Sequence, residues 1–360
     1  MRLFKTAFIL IILAPGINQM FAQARYGQIL DRTYLEYVDR LPKNLLSKKS
    51  IGVLIADTRG QAEKMAEAAH PSFAKSGVDV VAYYHVDDLF AGKAISKALA
   101  DEFVKREIIQ LIFLVRKPTG YQVVITPFSK DGSFVKHGKK AWQMESGQLA
   151  DIVDQMYRMS VSLERKNFLI SDAPEMGRFT HKVNGRRYEA YKPDLKTEKL
   201  AIPLFTEIIL PEELQGRPGV DKIKNNIAIY NQQLIRENNK IKSAFVNYPY
   251  PHEFIAEALT EKQLRDKGYY YVLNNIHTTS NTIRDLLKYE RRQGVTDYIV
   301  VRMNEGKGEV VRIKGDVPVY KYYVRNIPSD TYYLGAKWDA DLTDEAALNN
   351  HVQLLIAEIR

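Results

Sequence analysis

Ile108-Ile109-Gln110-Leu111-Ile112-Phe113-Leu114-Val115 is an apolar run broken only by Gln110. Its length and its branched and aromatic content read as a β-strand. A strand that does not alternate apolar with polar residues is covered on both faces, which is the signature of a parallel sheet between two layers. Working back from it, Ser50-Ile51-Gly52-Val53-Leu54-Ile55-Ala56-Asp57 is a second such run, and Val78-Asp79-Val80-Val81-Ala82-Tyr83-Tyr84 a third. Between them lie two helical stretches. Ala62 to Lys75 is rich in Ala, Glu, Lys and Met and ends at Gly77, the residue a left-handed helix cap favours. Lys93 to Lys105 places Ile95, Leu99 and Phe103 on one face. Working forward, Pro118-Thr119-Gly120 forms a turn into a strand at Tyr121–Thr126. One more strand leads to Trp142, and a helix runs from about Gly147 to Leu163.

A similar order recurs later, so that residues 44–165 and 235–360 read as two copies. Ile241–Tyr248 is the expected first strand of the second copy. A helix at Glu253–Lys267 ends at Gly268, a second strand covers Tyr269–Leu273, and a helix at Thr282–Arg292 ends at Gly294. Asp297–Val301 and Glu309–Ile313 are expected as its third and fourth strands, joined by a turn at Gly306-Lys307-Gly308. Tyr320–Val324 and Tyr332–Lys337 extend the sheet, and Thr343–Ile359 closes it as a helix. The two tryptophans, Trp142 and Trp338, each precede the final helix of a copy.

The fold class that follows is α/β with two similar duplicated lobes. Each is a mixed sheet of β-α-β-α-β order, then an antiparallel meander and a terminal helix. The expected division is a leader at 1–24, a first lobe at 25–165, a structured connector at 166–220 and a second lobe at 221–360. The connector holds Pro174, Pro193, Pro203, Pro211 and Pro218 with strand-like pieces at Leu200–Leu204 and Glu207–Leu210, unlike a Gly/Ser linker.

The leader has Arg2 and Lys5, an apolar run Ala7–Ala14, a break at Pro15-Gly16, and Ala22-Gln23-Ala24 as a cleavage site. That is the order of a secretory signal cut near Ala24, and the run is shorter than the about 20 residues a membrane span needs. The expected location is therefore the periplasm or the extracellular space, without a transmembrane anchor. The chain has no cysteine, which excludes disulfides, thiolate metal sites, a cysteine nucleophile and a lipid-modified cysteine anchor. An exported chain of this size without disulfides points to a bacterial source. The formal charge of +9 comes from scattered bases, a solubility pattern with a bias toward acidic partners. Export argues against nucleic acid, so an envelope protein or an acidic glycan is the expected partner. No cofactor is expected.

Phosphate-loop, dinucleotide, HExxH and GxSxG patterns are all missing. One constellation remains at the carboxyl ends of the strands, where open parallel sheets bind ligands. It consists of Asp57, His85, Asp87, Asp88 and Arg116 in the first copy, with His277 and Arg302 in the second. A histidine, an arginine and carboxylates on one edge suit an anionic ligand or acid–base work. They equally suit polar strand ends paired with one another. His85, Asp87 and Asp88 lack further ligands that would complete a metal site. The 22 tyrosines include Tyr320, Tyr322, Tyr323 and Tyr332, which with Lys321, Arg325 and Lys337 would make a recognition surface if exposed. A binding or scaffold protein of the envelope is thus the leading expectation. A hydrolase of phosphoesters or nucleotides and a small-ligand binder are its alternatives.

Overall fold

The computed structural model describes residues 30–359 except 31–34, 137, 178–182, 184, 211, 213–214, 217–219, 257–258, 291–293 and 305–306. The expected leader therefore lies outside the described residues.

The first lobe contains β1 (Glu36–Tyr37), β2 (Lys49–Ile55), α1 (Arg59–Ser76), β3 (Val80–His85), α2 (Val86–Leu89) and α3 (Lys93–Lys105). It continues through β4 (Ile108–Lys117), β5 (Gly120–Pro127), β6 (Lys140–Ser146) and α4 (Leu149–Ser160). Its sheet runs β1-β6-β5-β4-β2-β3. Strands β3, β2 and β4 are parallel, and β4, β5 and β6 are antiparallel, as the apolar runs and the short turn at 118–119 require. Thr58 starts α1 by accepting a hydrogen bond from Gln61 N, and Gly77 ends it at φ 87° with its N–H on Ala74 O.

The second lobe contains β7 (Arg186–Tyr188), a 3₁₀ turn at Pro193–Lys196, β8 (Leu200–Leu204), α5 (Val220–Ala244), β9 (His252–Ala256) and α6 (Glu261–Asp266). After these come β10 (Tyr271–Thr279), α7 (Ser280–Leu286), β11 (Asp297–Asn304), β12 (Lys307–Lys314), β13 (Pro318–Asn326), β14 (Thr331–Tyr333) and α8 (Asp344–Glu358). Its sheet runs β7-β14-β13-β10-β8-β9, with the same sequence of parallel and antiparallel pairings as the first. Strand for strand, β8, β9, β10, β13 and β14 correspond to β2, β3, β4, β5 and β6.

This correspondence corrects the register of the repeat. The second sheet takes β7 and β8 from residues expected as connector. Ile241–Tyr248 is not a strand: Ile241, Phe245 and Tyr248 are buried at helical spacing, at the end of α5 and in the turns after it. The expected helix at Glu253–Lys267 divides into β9 and α6. The strand expected at Tyr269–Leu273 belongs to β10, the counterpart of β4. Asp297–Val301 and Glu309–Ile313 form a separate two-stranded ribbon, β11–β12, outside the six-stranded sheet. Glu207–Leu210 makes no strand; the side-chain amide of Asn231 exchanges two 2.9 Å hydrogen bonds with the Ile208 backbone, and Asn238 does the same for Phe205.

Three large cores and a small one hold these elements. Ile112 and Leu114 of β4 face α1 and α4, in a core that includes Met65, Phe73, Trp142 and Ile152. Leu111 and Phe113 face the other way, into a core shared by the lobes and reaching Ile276, Ile283, Val319, Tyr323 and Tyr332. Both faces of β4 are thus covered, and each of these side chains contributes about 1.5–3 kcal/mol of burial. The second lobe's outer core joins α5 and α8 to its sheet through Ile241, Tyr271, Val324, Leu348 and Leu355. A smaller cluster packs Leu264 of α6 on Ala201, Ile255 and Val272.

Candidate functional site

The carboxyl end of β3 meets the carboxyl end of β10 at the junction of the lobes. His277 N donates to Ala91 O at 2.7 Å. A Cβ at Gly92 would lie 2.6 Å from Asn275 O, so only glycine allows this approach. Around this contact the structure gathers His85, Asp87, Asp88 and His277, four of the seven strand-end residues expected to act together.

Arg59, at the start of α1, grips Asp88 with two parallel hydrogen bonds of 2.7 and 2.6 Å. Thr278, from the second lobe, donates to the same carboxylate at 2.8 Å and accepts from Arg59 at 3.1 Å. A bidentate guanidinium–carboxylate pair is among the stronger polar contacts, and here Thr278 ties this first-lobe pair to the second lobe. Burial alone would push the Arg59 pKa down, but its bonds and charge contacts with Asp88 hold it above its ordinary value.

His85 ends β3 and caps α2. Its Nδ1 lies 3.3 Å from Asp87 N and 3.1 Å from Asp87 Oδ2. A neutral ring can accept from the backbone N–H, and a protonated ring can donate to the carboxylate. Burial raises the Asp87 pKa, yet the His85 hydrogen bond and the charges of His85, His277 and Arg59 outweigh it and hold the carboxyl below its ordinary range. The His277 ring stacks on Tyr320, its cross-strand partner, with centroids 4.0 Å apart. The chemistry open to this arrangement is proton sharing between His85 and Asp87 beside a fixed ion pair.

The other expected residues lie elsewhere. Asp57 is exposed in the loop after β2. Arg116 rests its guanidinium over the Tyr121 ring at 4.5 Å. Arg302 is on β11 and pairs with Asp341 through two hydrogen bonds. His85 and His277 are not equivalent in the repeat, because β3 corresponds to β9 and β10 to β4. Arg59 was missed: no motif marks it, and 219 residues of sequence separate it from Thr278, its partner at the strand end beside His277.

The tyrosine surface is also corrected. Tyr322 is buried in the outer core with its hydroxyl on Asp344 at 2.7 Å, and Tyr323 and Tyr332 are buried in the shared core. Tyr320 is half-buried against His277. Both faces of β13 are covered, so its alternating side chains point into two cores instead of into water. Arg325 is half-buried between Glu261 and Asp330.

Lys321, expected beside those rings as an exposed base, is 0% exposed. Its Nζ donates to Tyr322 O at 2.7 Å and Leu334 O at 3.1 Å, and lies 2.6 Å from Asp339 Oδ1. Asp339 Oδ2 is 2.9 Å from His351 Nδ1, and the Tyr191 hydroxyl is 3.5 Å from that ring. Burial pushes the Lys321 ammonium pKa down against the opposing pull of Asp339. It likewise pushes the His351 imidazole down, toward the neutral ring. The sequence carries no sign of this second cluster, since its members come from β13, the segment before α8, α8 and the loop after β7.

Among the described residues, no three or more His, Cys, Asp or Glu side chains gather as a metal site, and no helix is long and apolar enough to cross a membrane. No family model, curated protein or solved structure shows a significant match to this chain.

Proposed function

We propose that this chain is an exported, non-catalytic binding or scaffold protein of the bacterial cell envelope, with a protein as its partner. The observation that carries the reading is an insertion in the repeated topology. In the first lobe, β4 turns directly into β5. In the second, the corresponding strands β10 and β13 are separated by α7 and the β11–β12 ribbon.

The ribbon is two-faced. Val300 and Ile313 are buried against the shared core, whereas Ile299, Val301 and Val310 are 64%, 52% and 68% exposed on the opposite face. The register places Val301 opposite Val310 and Ile299 opposite Arg312, so these three side chains form one patch bordered by Lys314 and by the Arg312–Asp297 ion pair. A segment added to a rigid repeated framework is a usual carrier of function, and an apolar patch with a polar rim suits a protein contact. Lys314 and the net charge of +9 favour a partner patch rimmed by acids. The strand-end carboxylates support the non-catalytic part: Asp88 is held by Arg59 and Thr278, and Asp87 is engaged with His85.

The test is fractionation of source cells that express the tagged chain, followed by light cross-linking and recovery. The expected result is an envelope fraction and one stoichiometric protein partner. That partner should be lost with Ile299→Glu plus Val310→Glu and retained with His85→Ala. A partner indifferent to the ribbon substitutions would refute the surface. Phosphoester turnover abolished by Asp87→Asn in a folded variant would replace the scaffold reading with a hydrolase.

A further inference from the structure

The Lys321–Asp339–His351 cluster has the geometry of a reaction, beyond that of an ion pair. The Nζ of Lys321 lies 2.6 Å from Asp339 Oδ1, yet Oδ1 makes no hydrogen bond of normal angle and is otherwise buried without one. The contact is therefore close without the alignment of a normal hydrogen bond. Two of its hydrogens are taken by Tyr322 O and Leu334 O. In a tetrahedral amine those two bonds leave one position beyond the Cε bond. In the ammonium it is occupied by the third hydrogen. In the neutral amine it is the lone pair.

Burial favours the neutral nucleophile: Lys321 is 0% exposed, Asp339 5% and His351 0%, and burial lowers the ammonium pKa of Lys321. Lys321 and His351 in turn hold the Asp339 carboxyl below its ordinary range against its own burial. Moving one proton from nitrogen to the carboxylate removes two buried charges together and relieves their desolvation. His351 Nδ1 sits 2.9 Å from Oδ2, the oxygen not in contact with the amine, where it can deliver a proton to a departing oxygen. The packed sheet holds nucleophile and carboxyl group in contact, so the reaction is intramolecular and its entropic cost is met by folding.

We propose that Lys321 and Asp339 condense in the folded protein to an intramolecular amide, a covalent brace between β13 and the segment that leads into α8. The Nζ–Cγ bond forms and the Cγ–Oδ2 bond breaks. Lys321 gives up two protons, which leave with Oδ2 as one water molecule, the second reaching that oxygen through His351. An ammonium and a carboxylate thus become an amide and water, with no oxidant, metal or activating group. In a chain without cysteine, this supplies a covalent cross-link that disulfides cannot. It would staple the second lobe only.

The experiment is mass spectrometry of the full purified chain, with its N-terminal residue assigned from the same peptide map. The expected intact mass is one water below that of the sequence. Trypsin should fail to cut after Lys321, and a branched peptide should join the Lys321 segment to the Asp339 segment. Lys321→Met should restore the full mass, although the unaltered protein alone decides the matter. Separate linear peptides, with cleavage after Lys321 and an intact Asp339, would overturn the proposal. So would a lost water located in an unbranched peptide, which marks a cyclised aspartate and no cross-link.

Discussion

The two lobes share a strand order but differ in what they bury. In the first, the buried histidine is His70, bound to the Tyr83 hydroxyl at 3.0 Å and to Ser171 O at 2.9 Å. In the second, the buried histidine is His351, and it belongs to a cluster with Lys321 and Asp339. Behind its sheet, one lobe sets its buried histidine between a hydroxyl and a carbonyl, the other against a carboxylate and an amine. The common topology therefore depends on the apolar pattern of the strands, because both kinds of polar interior are compatible with it. What the difference changes is the penalty for error: a stranded charge costs more than a stranded hydroxyl.

The largest expected effect follows from that contrast. Lys321→Ala strands the Asp339 carboxylate and should lower unfolding free energy by about 3–5 kcal/mol, read from urea melts. His70→Phe, its counterpart in the first lobe, should cost less, about 1–3 kcal/mol. Equal losses would remove the distinction between the interiors. Next comes the junction: Arg59→Ala leaves Asp88 with Thr278 alone and should cost about 2–3 kcal/mol. Limited proteolysis should then cut between lobes before either unfolds. A loss confined to the first lobe would mean that the pair does not couple them.

Smaller effects test what the lobes have in common. Thr58 and Thr343 each cap a helix by accepting a backbone hydrogen bond three residues on, from Gln61 and Ala346. Thr58→Ala and Thr343→Ala should each cost about 1 kcal/mol, and a large disparity would show that one cap matters to more than its helix. The smallest effect is acid sensitivity at the junction. The Asp87 pKa is depressed below its ordinary 3.8, so its contribution is complete above that value and lost as pH falls through the lower, folded value. Asp87→Asn should flatten the stability–pH curve in that window. An unchanged slope would exclude this carboxylate as the source.

Much of the fold is legible in local pattern, and the exceptions have physical causes. The main strands and long helices of the first lobe read correctly because its strands are continuous apolar runs and its first long helix ends at a clear cap, Gly77. The second misleads because Ile241, Phe245 and Tyr248 look like a strand fragment next to Pro249, and because the β11–β12 insertion mimics the third and fourth strands of a repeat. Of the site, His85, Asp87, Asp88 and His277 were legible as strand-end residues, since a sheet gathers its strand ends by construction. Arg302 was misplaced because it belongs to the insertion.

By itself the sequence determined the class of fold, the order of elements in the first lobe and the existence of a repeat. These depend on periodicity and capping, which act over a few residues. The tertiary structure alone decided that Arg59 meets Thr278 across the junction, that Tyr322 and Tyr323 point into two different cores, and that Lys321 faces Asp339 and not solvent. A side chain's charge and shape are written in the sequence, but its solvent and its neighbours are set by which surfaces pack together.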